Sequence, residues 1–279
     1  MDGGFDMIEE VNIKGGIGMR QPSRAKRLLH SLMALDVPAL QVEAQAYPVV
    51  CRQLPHAFHL ARIAVVSDVH MPDALVSPRR LARCVAMQRP DAIFLTGDLT
   101  NSYTYFDESG LRLLAQELAA IAPCFAIPGN HELRLDRDKR YGEILTACGV
   151  QYMCDSYADW EKDGQTLRLF GMGWRRPAPL QVEGQPAIVL AHRPDHFAYY
   201  QKARWELVVC GHAHGGQVRL GDLSLYAPGQ GFFPAYTDGA YVADGTTMIV
   251  SRGLGNSSIP WRIGNGAHLP VILLIADDK

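Results

Sequence analysis

The chain has 279 residues, of which 48% are hydrophobic, 9% aromatic and 20% charged, and its net charge is −2. That describes a globular protein with room for one large α/β domain or two small ones, and it gives no electrostatic footprint for nucleic acid. Six scattered cysteines, at 51, 84, 124, 148, 154 and 210, form no C-x-x-C pair and read as reduced, mostly buried thiols. The N-terminal stretch carries acids where a secretory signal has an apolar core. No segment reaches the ~18 apolar residues that span a bilayer, so a cytoplasmic protein is expected.

Residues 1–22 are Gly-rich and aperiodic, which predicts a flexible arm. Residues 23–40 predict an amphipathic helical segment: Ser23 can cap it, Leu28, Leu29, Leu32 and Met33 share a face, and Arg24, Lys26 and Arg27 cluster near its start. Two readings stay open for it, a helix packed on the domain and, through residues 23–35, a peripheral contact with the anionic inner face of a membrane. Residues 42–279 are expected to form a single domain. From residue 60 strands alternate with helices: "LARIAVVSDVH", "SPRRLARCVAMQRP", "DAIFLTGD", "SGLRLLAQELAAIA", "PCFAIPGNHE" and "DRDKRYGEILTACG". This alternation predicts βαβ units and a mainly parallel sheet. After residue 150 come strands with shorter connections, "TLRLFGMG", "AIVLAHRP", "ELVVCGHAH", "QVRLGDLSLYAPG", "TTMIVSRGLG" and "LPVILLIAD", which predict a second sheet with more antiparallel character.

The informative feature is what closes each strand. Asp68 and His70, then Asp98, then Asn130 and His131, then His192, then His212 and His214 follow five apolar runs. Any one of them has an ordinary explanation as a cap, a turn or a satisfied polar residue. Five of the ten histidines at strand ends is another matter, because ligands of open α/β sheets bind at the carboxyl ends of strands. Alternation along extended backbone would aim His212 and His214 the same way, with Ala213 pointing elsewhere. Asp, Asn and His donors without cysteine suit manganese, iron, zinc or magnesium. Seven such donors besides His131 exceed what one ion needs, and two ions sharing a carboxylate are the apparatus of phosphoester hydrolysis.

The blocks "SDVH", "GDLTN", "GNHE", "LAHRPD" and "GHAHGG" resemble those of the calcineurin-like metallophosphoesterases. Beyond them, "HGGQVRL" and "SRGLGNSSIPWRI" are similar to a YkuE-like bacterial branch, which also resembles a UDP-diacylglucosamine pyrophosphatase. The resemblance implies a four-layer αββα sandwich of two mixed β-sheets flanked by helices. It implies two divalent ions, manganese foremost, and hydrolysis of a phosphoester or pyrophosphate by a bridging hydroxide. Asp68, His70 and His214 would hold one ion with Asp98 as the bridge, and Asn130, His192 and His212 would complete the other. Glycines at 97, 129 and 211 would let backbone pass close to the cluster. His131 would be catalytic without being a ligand, either stabilising the phosphoryl transition state or protonating the leaving oxygen.

The substrate is expected to be a small phosphate ester or a lipid-linked one, and no nucleic-acid partner is expected. A non-catalytic scaffold of the same fold is the competing class, and the presence of His131 argues against it. Asn101 stands where many relatives have Asp, and Trp174 where many have an acid. Arg175 and Arg176 could fork onto a second phosphate or simply be solvated.

Overall fold

Unbroken apolar runs such as "IAVV", "AIFL", "IVL" and "LVVC" require cover on both faces, and each lies inside a sheet whose two sides are packed. The computed structural model describes residues 42–134, 138–173, 187–217, 219–220, 223–256 and 262–277. The first half runs β1 (Glu43–Cys51), β2 (Arg62–Val66), α1 (Pro78–Met87), β3 (Ala92–Leu95), α2 (Glu108–Ala119), β4 (Cys124–Ala126), the one-turn α3 (Asn130–Leu133), α4 (Asp138–Ala147) and β5 (Gln151–Tyr152). Then come β6 (Ser156–Lys162), β7 (Gln165–Gly171), β8 (Ile188–Leu190), α5 (Phe197–Lys202) and β9 (Leu207–Cys210). Two small hairpins follow, β10 (Arg219–Leu220) with β11 (Leu223–Ser224), and β12 (Tyr226–Ala227) with β13 (Gly231–Phe232). β14 (Gly239–Ala243), β15 (Thr246–Val250) and β16 (His268–Ala276) complete the order.

One sheet has the order β1-β16-β2-β3-β4-β5 and the other β14-β15-β9-β8-β7-β6. In the first, only β16 against β2 is antiparallel; in the second, the two outer pairs are antiparallel and the middle is parallel. Alternate residues of each strand serve different layers. Ala64 and Val66 of β2 pack with Leu81, Val85, Leu111, Leu114 and Ile144 of the helices. Ile63 and Val65 face the other sheet, meeting Trp160, Leu169, Ile188 and Val209. Val208 and Cys210 of β9 turn outward, onto Phe197, Tyr200 and Trp205. The layers are therefore helices, sheet, sheet and a smaller outer cover, the sandwich that the resemblance implies. The helices are locally encoded: α1 starts at Ser77-Pro78, with proline at its first position, and Asp107 caps α2 by accepting from Gly110 N–H at 3.0 Å.

Two expectations need correction. The last strand, β16, returns to the first sheet between β1 and β2, where its long buried run has cover on both faces. The stretch "QVRLGDLSLYAPG" forms short two-residue pieces rather than one strand. The N-terminal arm, the helical segment at 23–40 and the Trp174, Arg175 and Arg176 positions lie outside the described residues.

Candidate metal centre

In the first sheet β2, β3 and β4 run parallel, and in the second β8 and β9 do, so five strands can deliver their following loops to one place. They do. Ligand-type atoms of Asp68, His70 and His214 lie within 4.8 Å of one another, as do those of Asp98, His192 and His212, and those of His70, Asp98 and His131. All seven residues are buried. Asn130 joins them through its Oδ1, 3.3 Å from His192 Nε2.

The backbone takes an unusual course to achieve this. Asp68, His70, Asp98, His212 and His214 all have left-handed φ, between 49° and 67°. Each such non-glycine residue costs about 1–3 kcal/mol, and surrounding structure must over-determine it. The expectation that His212 and His214 project together from extended backbone is therefore wrong. Past β9 the chain leaves the strand, with Ala213 helical at φ −77°, so the two imidazoles diverge. His212 stands beside His192, ring centroids 5.0 Å apart, and His214 stacks on His70 at 4.9 Å. Two glycines make room: a Cβ on Gly129 would strike the Asp98 carboxylate, and one on Gly211 the Ser67 hydroxyl and Asp68 carboxylate.

A family model of calcineurin-like phosphoesterases matches residues 61–216, a span that contains every one of these side chains. The chain belongs to the calcineurin-like phosphoesterase family. It is similar to the phosphodiesterase YaeI of Escherichia coli, 33% identical over 177 residues, 57% of this chain and 62% of that one. The metallophosphoesterase YkuE of Bacillus subtilis is 26% identical over 235 residues, 79% of this chain and 81% of YkuE. A transmembrane protein with a metallophosphoesterase domain from Danio rerio is 28% identical over 249 residues, 80% of this chain and 55% of that one. The chain thus spans less than two thirds of the length of YaeI and of the Danio rerio protein. Among the described residues no helix is long and apolar enough to cross a membrane.

The donors gathered here are of the kind that hold divalent ions. His192 Nδ1 donates to the Thr96 carbonyl at 2.7 Å, which turns the Nε2 lone pair toward Asp98 Oδ2 at 3.1 Å and Asn130 Oδ1 at 3.3 Å. Three acceptor atoms facing one another call for a cation between them. On the other side His70 Nε2 and His214 Nε2 are 3.1 Å apart, with Asp68 Oδ1 3.4 Å from the latter. Mixed nitrogen and oxygen donors without thiolate suit manganese, zinc, iron or magnesium.

Electrostatics point the same way. Burial pushes His70 and His212 down to about 3 and His214 well below the usual imidazole range, which keeps their lone pairs available. Burial opposes ionisation of Asp98, yet His192, His131 and His70 around it hold its carboxyl well below the ordinary value. Burial likewise opposes a charged His192, but the Asp98 carboxylate's charge and hydrogen bond push it up to about 9. Without a metal, a proton is what balances this pair.

His131 differs from the ligand-type imidazoles in where its nitrogens point. Ser102 N–H donates to His131 Nδ1 at 2.9 Å, and the Ser102 hydroxyl lies 3.1 Å from the same atom. A neutral ring bonded this way carries its proton on Nε2, which lies 4.0 Å from Asp98 Oδ2. Asn101, beside Ser102, instead donates to Asp73 Oδ2 at 2.8 Å and accepts from Tyr103 N–H at 2.9 Å. It is not one of the donors.

Glu132 is a residue to which the sequence reading gave no role. It is fully buried and accepts from Asp98 N–H at 2.9 Å, Gly129 N–H at 2.8 Å, and Thr100 N–H and hydroxyl, both at 2.9 Å. One carboxylate thereby locks the Asp98 loop to the Asn130 loop. The "GNHE" block contained the signal, since an acid three positions into a helix reaches back toward the helix start. Glu132→Gln would turn an amide N–H₂ toward backbone donors. It is expected to lower stability by about 2–4 kcal/mol, read from urea midpoints at fixed metal concentration.

Proposed function

We propose that this chain is a dinuclear phosphodiesterase, with Asp68, His70 and His214 holding one divalent ion, Asn130, His192 and His212 the other, and Asp98 bridging them. The observation that carries the assignment is the position of Asp98, whose carboxylate belongs to one group with His70 and His131 and to another with His192 and His212. When bound, the two ions supply hydroxide at neutral pH and clamp the oxygens of an in-line displacement. Manganese is the leading candidate, with iron, zinc and magnesium behind it.

The chain's own residues divide the remaining work. Thr96 fixes the His192 tautomer through its carbonyl, and Glu132 holds the loops of Asp98 and Asn130 at a set distance. His131 offers an Nε2–H toward the space where phosphoryl oxygens would lie. Its retention at the centre favours an enzyme over a non-catalytic scaffold. The diester preference rests on similarity to YaeI, a phosphodiesterase.

A pyrophosphatase acting on a lipid-linked substrate, of the UDP-diacylglucosamine type, is the second reading. What favours it is the β12–β13 hairpin: Gly229 in its turn sits against His212 and Arg193, while Phe232 beyond is 78% exposed and Phe233 70%. An apolar substrate arm would find cover there.

Purified protein is expected to contain two divalent ions per chain after manganese loading. Elemental analysis giving one ion or fewer would overturn the dinuclear assignment. A panel run with manganese separates the substrate readings: a bis-nitrophenyl phosphodiester, a phosphomonoester, a nucleotide-sugar pyrophosphate and its lipid-linked counterpart. Highest kcat/KM on the diester supports the proposal, and highest kcat/KM on the lipid-linked pyrophosphate transfers it to the second reading.

A further inference from the structure

Asp68 and His70 follow β2 of one sheet and His214 follows β9 of the other, so their donor group exists only while the two sheets keep their register. The connecting material is the loop after β15. Ser251 N–H begins it by donating to the Cys210 carbonyl of β9 at 2.9 Å. Three residues on, it crosses to the other sheet: Leu254 N–H donates to the Ser67 carbonyl at 3.1 Å and Gly255 N–H to the Asp68 carbonyl at 2.7 Å.

Arg262 closes this loop on itself. Its Nε donates to the Gly255 carbonyl at 3.1 Å, its Nη2 to the same carbonyl, and its Nη1 to the Arg252 carbonyl at 2.7 Å. The same Nη2 stands 3.3 Å from His214 Nδ1; with the Nε2 lone pair kept for a metal, that nitrogen carries the ring's proton, so this is a packing contact and not a hydrogen bond. Nearby, Asn265 Nδ2 donates to the His214 carbonyl at 2.6 Å. Among the described residues this guanidinium makes no ion pair, although it is part-buried. An arginine fork spent on the backbone carbonyls of one loop is placed for geometry.

We infer that Arg262 is a positioning residue for one half of the metal centre, holding the Arg252–Gly255 loop against the Ser67 and Asp68 backbone so that Asp68 and His70 stay within reach of His214 as one donor group. This rests on the dinuclear assignment proposed above. The other half, built from Asn130, His192 and His212 with Asp98, touches neither Arg262 nor its carbonyl partners, so it should be spared.

The test compares wild type, Arg262→Lys and Arg262→Met by manganese stoichiometry after dialysis at fixed free manganese, by titration of each variant, and by the manganese spin-resonance signal. Wild type should hold two ions with the signal of a coupled pair. Arg262→Met should hold about one, with the signal of an isolated ion. Its lost ion should bind again only at ~10- to 100-fold higher manganese, the loss typical of removing an outer partner of a metal site. Activity should return with it. Arg262→Lys should fall between, because an ammonium lacks the planar fork that reaches the Gly255 and Arg252 carbonyls together.

Two ions of wild-type affinity in Arg262→Met would overturn the inference. So would parallel loss of both ions, or loss of the far-ultraviolet dichroism of the fold in both variants, since either makes Arg262 a general strut. Fewer than two ions in wild type is a different failure, that of the dinuclear assignment itself.

Discussion

Asp98→Asn is expected to lower manganese content from two ions per chain to one or fewer, and to cut kcat/KM by more than the ~10- to 100-fold that follows loss of an outer-sphere partner. The substitution is close to isosteric, and asparagine tolerates the left-handed backbone that Asp98 adopts at φ 53°, so strain is not what changes. The orientation of the new amide is forced. His131 N–H donates to Asp98 Oδ1 at 2.8 Å, which requires an oxygen there and sends Nδ2 to the Oδ2 position. That position faces His192 Nε2 at 3.1 Å, where a lone-pair donor to a cation is needed and an N–H₂ group supplies none. The negative charge that draws His192 up to about 9 is lost as well. Elemental analysis and a diesterase assay on the same preparation check both effects. Near-normal metal content with a near-normal rate would mean that Asp98 does not bridge.

The parts of this molecule that could be read from sequence are those where one local pattern has one physical cause. Parallel strands covered on both faces give unbroken apolar runs, and β2, β3, β4, β8 and β9 were visible for that reason. The polar residues closing them were visible because they interrupt those runs. Edge strands were not, since β1 and β6 mix exposed and buried positions with polar residues, and the short β14 has no fully buried position, so they resemble loops. The left-handed backbone at His212 and His214 carries no signature in the residues themselves. It is imposed by the neighbourhood, as when His212 N–H is held by the Asp68 carboxylate at 3.0 Å from 144 residues away. Glu132 and Ser102 escaped for a related reason. Only the bond from Gly129 N–H to Glu132 follows a local spacing; the bonds to Asp98 and Thr100, and that of Ser102 to His131, join residues about thirty apart, which no spacing rule reports.

His131→Gln should leave both ions bound and lower kcat by ~10²- to 10³-fold, the range seen when one preorganised donor to a developing negative charge is removed. The sequence reading left two roles open for this residue, leaving-group acid and fixed electrostatic partner, and the surroundings of the ring favour the second. With Ser102 N–H aimed at Nδ1 from 2.9 Å, protonating that nitrogen would set two N–H groups against each other. Burial acts in the same direction and pulls the ring's pKa below its ordinary value. At neutral pH the imidazole is then uncharged, with one Nε2–H to offer, and a neutral imidazole is a far poorer general acid than an imidazolium, whose pKa lies near the working pH. It can donate a hydrogen bond to a phosphoryl oxygen throughout the reaction.

Two consequences separate the roles. The fold-loss in His131→Gln should be nearly equal for a nitrophenyl ester, whose leaving group departs without a proton, and for an alkyl ester, whose leaving group needs one. The wild-type rate should also show no His131-dependent fall as pH rises through the lowered imidazole pKa. A general acid, active only when protonated, would lose activity across that window. A loss at least tenfold greater on the alkyl ester would restore the acid role, and loss of an ion together with activity would make His131 a ligand.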